Sequence, residues 1–339
     1  GVSVCLIPAI QRYAKIMDDG DGGCVIVWLD RRSGEGDIYA QRILNNGHPD
    51  GRWEQNGIPV AAVRGFQGNL DITYVGENGV IIVWQDDGIQ EDMNIRAQRL
   101  TPQGDLLWGG GEGIQVCNQE GGRQELPKIC SDGEGGAFVS WQDNRNMEES
   151  NRDIYVQRID NEGNLLWSES DEGIPLCTAS EEQNLPRIIE SEPGSAIVVW
   201  QDMRQDQDTY DIYGMRIGGE DEMVRLWEGE QGIPISVAEG NQQGFRINSG
   251  FEGGAFIVWE DNRFGGFPEV DIWAQQISVD GEIQWDENGI VVCGAAEEGD
   301  DGLFTQGSPV IFATADQSCV IVWGDQRSGS RSIFSQKLN

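Results

Sequence analysis

A tryptophan followed two residues later by an aspartate recurs six times along the chain. Trp28, Trp84, Trp141, Trp200, Trp259 and Trp323 precede Asp30, Asp86, Asp143, Asp202, Asp261 and Asp325. The intervals between successive tryptophans are 56, 57, 59, 59 and 64 residues. A fixed period of this size marks a repeat architecture and overrides the domain count suggested by 339 residues. We therefore read residues 1–339 as one domain of six repeats.

Each repeat contains four short apolar or alternating runs divided by Gly, Asn and Asp. In the fourth they are Pro186–Ile189, Ala196–Trp200, Asp211–Ile217 and Gly232–Ser236. Runs of this length, rich in Ile and Val and bounded by turn residues, read as strands. The second run is apolar without alternation, as in Val80–Trp84 and Ala255–Trp259, so both of its faces must be covered. No segment carries a helical stripe. Four antiparallel strands per repeat, stacked face to face, predict an all-β, six-bladed β-propeller. The last repeat stops at its third run, Ser332–Leu338, whereas Gly1–Cys5 matches the fourth runs Gly113–Cys117 and Gly289–Cys293. The N-terminus is therefore expected to complete the last blade and close the ring, which removes open edges.

Charge is the second constraint. The 58 acidic against 23 basic residues give a net charge of −35, which argues against nucleic acid or an anionic membrane as partner. The acidity fits solubility outside a cell, with adaptation to high salt as the alternative. No apolar run is long enough to span a membrane, and no secretory leader precedes the first strand. An export signal is expected to lie outside this sequence.

Seven cysteines are present, an odd number. Cys5, Cys117, Cys177 and Cys293 share one repeat position with Ala61 and Ser236, and Cys24 and Cys319 share another with Ala137, Ala196 and Ala255. Exchange with small residues describes a tight buried slot, so these cysteines are expected to be free and inert.

The inventory of reactive groups is short. His48, in a turn, is the only histidine, which removes histidine-dependent nucleophilic catalysis and a histidine-rich metal site. There is no phosphate-binding loop. Carboxylates are abundant, and a glycosidase needs only two. The recurring aspartate stands in every repeat, however, so it reads as a structural acceptor that shapes the turn after the second strand. Arg32, Arg145, Arg204, Arg263 and Arg327, two residues further on, read as its local brace, and Gly88 breaks the pattern in the second repeat. The Gly244–Ile247 stretch resembles a sialidase segment, and sialidases are also six-bladed. Its arginine has equivalents in Lys15, Lys128 and Arg187, so it is a repeat feature. Asn161–Trp167 resembles a sialidase Asp-box turn but is one residue longer.

The string Val-Trp-Gln-Asp-x-Arg, then Asp-Ile-Tyr-x-x-Arg, Gly-Asn-Leu-Leu-Trp and Gly-Ile-Pro-Leu-Cys, fullest over Gly136–Cys177, resembles a propeller repeat of large secreted or surface-anchored bacterial proteins. The resemblance covers the whole chain. It implies an extracellular or cell-surface location and no assigned catalysis.

Binding is expected on the variable loops between second and third strands and between blades. Phe264, Phe267, Phe304, Tyr210 and Phe66 are the candidate anchors, since turn chemistry does not require an aromatic there. The other reading is that they tuck over the blade rims. Asp206, Asp208, Asp19 and Asp21 lie in acidic turns whose oxygens suit Ca²⁺, or are simply solvated. The expected function is a non-catalytic binding or structural module contacting a protein or a neutral glycan. The alternative is a propeller glycoside hydrolase or sialidase-like enzyme using paired carboxylates.

Overall fold

The computed structural model describes residues 1–88, 93–119, 121–147, 150–168, 171–264, 270–294, 306–326 and 330–339. Strands account for all of the regular structure among them apart from three short 3-10 turns. No helix among the described residues is long and apolar enough to cross a membrane. The chain divides into two compact units, Gly1–Leu176 with Gly219–Met223, and Cys177–Gly218 with Val224–Asn339.

The first unit holds three sheets. The first has the order β1 (Gln11–Asp18), β2 (Cys24–Asp30), β3 (Asp37–Ile43), β4 (Ile58–Ala61); the second runs β5 (Gln67–Tyr74), β6 (Val80–Asp86), β7 (Asn94–Leu100), β8 (Ile114–Cys117). The third runs β9 (Gln124–Ser131), β10 (Ala137–Asp143), β11 (Asp153–Ile159), β12 (Ile174–Cys177). All neighbours are antiparallel. The apolar second strands are covered on both faces, as their lack of alternation requires: β6 is buried at every position. Between the first two sheets Val25, Val27, Ile38 and Ala40 meet Leu70, Ile72, Val80, Ile82 and Trp84.

The second unit repeats this plan. β13 (Gln183–Glu190), β14 (Ser195–Asp202) and β15 (Asp211–Gly218) are followed by β16 (Val224–Arg225) and β17 (Ile233–Ser236), which both pair with β15 at different points. β18 (Gln242–Ser249), β19 (Ala255–Asp261), β20 (Asp271–Ile277) and β21 (Ile290–Cys293) form the fifth sheet. The sixth contains β22 (Gln306–Thr314), β23 (Ser318–Asp325) and β24 (Ser332–Leu338) only. Gly1–Cys5, expected to supply its fourth strand, lie outside any strand. On the first sheet this segment makes the contacts that the end of a fourth strand makes with the next sheet elsewhere: Leu6 N donates to Asn56 Oδ1 at 2.8 Å, as Val237 N does to Asn288 Oδ1, and Arg32 reaches Cys5 Sγ at 3.4 Å, as Arg145 reaches Cys117 Sγ.

The recurring Trp-x-Asp-x-Arg forms one clamp. Trp200 Nε1 donates to Asp202 Oδ2 at 2.8 Å, and the Arg204 guanidinium holds the same oxygen at 2.5 Å. Arg204 also lies over the Tyr213 ring at 4.1 Å, and donates to Gln231 O at 2.9 Å and Cys177 Sγ at 3.0 Å. Arg145 repeats the set with Asp143, Tyr155, Glu172 O and Cys117 Sγ. The brace therefore ties the end of one sheet to the fourth strand of the sheet before it. A second tie is the outer tryptophan, Trp108, against Gly163, where a Cβ would lie 2.9 Å from the ring.

The seven cysteines are free. Cys24 is only half-buried, unlike Cys117, Cys177, Cys293 and Cys319. Burial pushes the Cys117 thiol up to about 12 and that of Cys319 to about 11.

Removing one member of the clamp leaves buried polar groups unpaired. Asp143→Ala is expected to cost about 3 kcal/mol in urea denaturation, by stranding Arg145 and Trp141 Nε1. Asp86→Asn, where no arginine follows, is expected to cost under about 1 kcal/mol.

Candidate functional site

The second sheet departs from the repeat at three neighbouring positions. Gly88 stands where the bracing arginine belongs. Asn94 faces Asp86 across β6 and β7, where Asp37, Asp153 and Asp211 face their aspartates in other sheets. Arg96 faces Trp84, where Tyr39, Tyr155 and Tyr213 stand elsewhere. Loss of the brace empties the space that a guanidinium over an aromatic ring fills in other sheets. A cavity of about 390 Å³ lies there, lined by Arg64, Asp86, Asp87, Asn94, Arg96 and Glu112 among others. A second cavity of about 400 Å³ shares Arg64, Asp87 and Gly88 with it and adds Arg31, Glu35 and Phe66. Both lie wholly in the first unit.

Asp86 is buried but weakly held. Trp84 Nε1 is 3.4 Å from its Oδ2 and Arg96 Nε 3.6 Å, and Gly88 N donates to its Oδ1 at 2.8 Å. Burial consequently pushes the Asp86 carboxyl above the usual range. The contrast is Asp30, where burial acts in the same direction but hydrogen bonds from Arg32 and Trp28 outweigh it and hold the carboxyl below that range. Next to it, Asp87 accepts from Phe66 N at 2.5 Å through Oδ1. It does as a carboxylate what Asn144 and Asn262 do as amides for Arg123 N and Asn241 N. The cleft thus brings together a buried carboxyl whose pKa is raised by burial, a second carboxylate and two arginines. That set can donate a proton, supply a base or nucleophile, and bind an anionic group.

Phe66 is the one aromatic candidate found at this cleft; its ring packs where a Cβ on Gly36 would lie 2.8 Å away. Phe264 is 79% exposed and its ring lies 6.0 Å from that of Trp273. Tyr210 is half-buried, with its N donating to Asn241 Oδ1 at 3.0 Å. Phe267 and Phe304 lie outside the described residues, as does Arg327. Asp206 and Asp208 are exposed, and Asp206 Oδ1 accepts from Asp208 N at 3.1 Å. Asp19 and Asp21 are both ion-paired to Arg42, at 2.7 and 3.3 Å, so that turn already holds a cation of the protein's own. Among the described residues no group of three or more His, Cys, Asp or Glu is placed to hold a metal ion.

Asp87, Arg31, Arg64, Arg96 and Glu112 escape a reading based on what every repeat shares, and Asp86 enters that reading only as a structural acceptor. The signal that points to them is Gly88, a gap in a pattern, which gains meaning only when the missing guanidinium is seen to leave a space.

One carboxyl elsewhere is also unusual. Asp211 is 3% exposed and its Oδ2 has no hydrogen-bond partner. Its counterparts do: Ser33 donates to Asp37, and Ser150 and Asn146 to Asp153. Burial, and then the charge of Asp202, push the Asp211 carboxyl up to about 7.

No protein-family model matches the chain, and a comparison with curated proteins yields no match. Solved structures do match in fold. The polysaccharide lyase Uly1 superposes with a TM-score of 0.54 at 9% identity, over 97% of this chain and 77% of the lyase. The Hadza microbial sialidase Hz136 gives 0.49 at 12%, over 97% of this chain; this chain spans 65% of the sialidase. An α-L-arabinofuranosidase from Fusarium graminearum gives 0.47 at 9%, over 97% of this chain and 93% of that one. At these identities the likeness is one of fold. It nevertheless corrects the expectation of a non-catalytic, non-enzymatic module: the fold is shared with Uly1, a polysaccharide lyase, so an all-β repeat of this kind gives no ground for excluding catalysis.

The orphaned carboxyl gives a pH test. The folded state keeps the Asp211 proton up to about pH 7, whereas an unfolded chain loses it near pH 4. Its contribution is therefore full at low pH and is lost as pH rises between those values. Asp211→Asn is expected to stabilise the protein at pH 8 by on the order of 2 kcal/mol, with the gain vanishing near pH 4. A pH-independent difference in denaturation midpoints counts against this assignment.

Proposed function

We propose that the chain is a six-bladed propeller enzyme acting on a glycan, a glycoside hydrolase or sialidase-like enzyme that uses the paired carboxylates beside Gly88. The observation that carries this reading is the break in the repeat. Of the six repeats only the second lacks the bracing arginine in its sequence, and a buried carboxyl of raised pKa there borders an open cleft together with a second carboxylate. Breaks in an otherwise consistent design concentrate at functional sites. The carbohydrate-active enzymes among its neighbours in fold agree with it.

In this reading Asp86 acts as the general acid and donates to the glycosidic oxygen as the bond to the anomeric carbon breaks. Asp87 is the second carboxylate: it stabilises the developing positive charge and either activates water or attacks the anomeric carbon itself. Phe66 offers an apolar face for a sugar ring at the mouth. The substrate places the protein outside the cell or at its surface. The propeller reading also keeps Gly1–Cys5 as the missing fourth strand of the last blade.

Screening the purified chain against a glycan panel for released reducing ends or unsaturated products tests the activity and its type. Asp86→Asn and Asp87→Asn should each lower kcat by about 100-fold or more while the melting temperature stays close to that of the parent. Gly88→Arg puts back the missing brace: its Cβ has 3.7 Å to Asp86 Oδ1, so the side chain has room at some cost from the positive φ of 48°. That variant should fold and be inactive. Full activity in all three variants rules the cleft out as the active site.

A further inference from the structure

We propose that the cavity beside Gly88 holds the anionic group of an acidic sugar residue, a carboxylate or a sulfate, between Arg31 and Arg64. The inference rests on the enzyme reading for placing a sugar there; the charge preference has its own grounds.

Many of the arginines in this chain are paired with carboxylates. Arg32, Arg42, Arg52, Arg123, Arg145, Arg158, Arg204, Arg216 and Arg263 all lie within 4.0 Å of an Asp or Glu. With 58 acidic residues against 23 basic ones, that is the expected state of any guanidinium. Arg31 and Arg64 are exceptions. Both are exposed, and neither guanidinium has an ion pair or a hydrogen bond among the described residues. Both line the same cavity. They come from different segments, Arg31 following β2 and Arg64 in the connection between β4 and β5.

The nearby carboxylates are engaged elsewhere. Glu35 accepts from Gly65 N at 2.9 Å, and Asp87 accepts from Phe66 N at 2.5 Å. Those bonds fix the loop that carries Arg64 and direct the carboxylates at backbone donors. The wall is otherwise made of Gly34, Gly36, Gly65 and Gly88, which lets a ligand approach the backbone closely. Arg64 also borders the adjoining cavity that holds Asp86. A sugar whose anion lies between Arg31 and Arg64 therefore has its ring next to the proposed proton donor. A planar guanidinium fork suits a carboxylate or a sulfate better than a hydroxyl, and two forks suit one such group. A long polyanion is disfavoured by the net charge of −35, so a sparsely charged chain fits better than a dense one.

The test is isothermal titration of the purified chain with three probes of equal length: trigalacturonate, 6-sulfated galactotriose and neutral galactotriose. At least one acidic probe should bind about tenfold or more tightly than the neutral one, and which of the two does so identifies the group. Arg31→Ala and Arg64→Ala should each weaken acidic binding about tenfold, with unchanged affinity for the neutral probe. Arg64→Lys should recover part of the loss, since a charge without the fork remains. Arg246→Ala, which removes a charge on β18, a strand that lines neither cavity, should change nothing. Because both cavity arginines are exposed and unpaired, the variants should melt like the parent. Equal affinity for acidic and neutral probes, no binding of any probe, or unaltered acidic binding in both alanine variants overturns the proposal. Cleavage of neutral glycans without preference for acidic ones also overturns it and leaves the enzyme reading standing. Selective acidic binding without cleavage of any glycan does the reverse.

Discussion

The clamp of tryptophan, aspartate and arginine is the interaction on which four of the sheets depend. A buried carboxylate is costly unless its oxygens are fully satisfied. Here Asp143 accepts from Trp141 Nε1 at 3.1 Å, from Arg145 N at 2.9 Å and from the Arg145 guanidinium at 2.5 Å. The guanidinium then has donors to spare, and it gives them to Glu172 O and Cys117 Sγ. One residue thus satisfies a buried charge, covers an aromatic ring and joins two sheets. The same side chain explains why small residues and cysteine alternate at the end of the fourth strand. Ser236 Oγ stands under Arg263 at 3.4 Å where Cys177 Sγ stands under Arg204. A larger residue would displace the guanidinium.

A structure built on a repeated clamp can hold a cavity where the clamp is absent. The second sheet forgoes Arg, Asp and Tyr together and has Gly88, Asn94 and Arg96 instead. These changes are mutually consistent. Without an arginine after it, Asp86 could not also face a second carboxyl, and Asn94 removes that repulsion. Arg96 enters from the opposite strand and stops at 3.6 Å, which leaves the carboxyl only partly compensated. The raised pKa of Asp86 and the open space have one cause. Asp211 shows the other way a carboxyl can be left strained: it keeps the opposing aspartate but lacks the hydroxyl or amide donors of its counterparts, and it has no comparable break around it.

The sequence shows the sheets plainly because their information is periodic. The expected strand Ala196–Trp200 lies within Ser195–Asp202, and Asp211–Ile217 within Asp211–Gly218. The bracing role of Arg204 was legible from its fixed distance to Asp202. Other features were not. Every first strand carries a bulge, with positive φ at Tyr13, Asn69, Leu126, Leu185, Gly244 and Ser308. Only one of these is glycine, and Tyr13, Leu126 and Leu185 are not turn residues, so no common residue type announces the bulge. The expected pairing of Gly1–Cys5 with the last sheet was argued from similarity of strings. The contact of Cys5 with Arg32 reproduces that of Cys117, at the end of a fourth strand, with Arg145 of the following sheet. The cleft was the hardest to read, because it forms around a departure from the repeat and its residues come from five separate segments.

The acidity of the chain and a preference for an anion are compatible on grounds of length scale. At physiological ionic strength fixed charges are screened over about 8 Å, so most of the 58 carboxylates contribute little inside any one cavity. What decides local preference is the set of groups within that distance and whether they are already neutralised. Arg158 illustrates the usual case: Asp132 at 2.9 Å and Glu134 at 2.6 Å leave it no charge to offer. Arg31 and Arg64 have no such partners, and the two carboxylates nearest them in the cavity wall are bound to backbone N–H groups. The long-range field then acts mainly on approach, slowing dense polyanions and sparing ligands with few charges. An acidic surface around an arginine-lined cleft is in this sense a filter: it discriminates by charge density outside and by single-group geometry within.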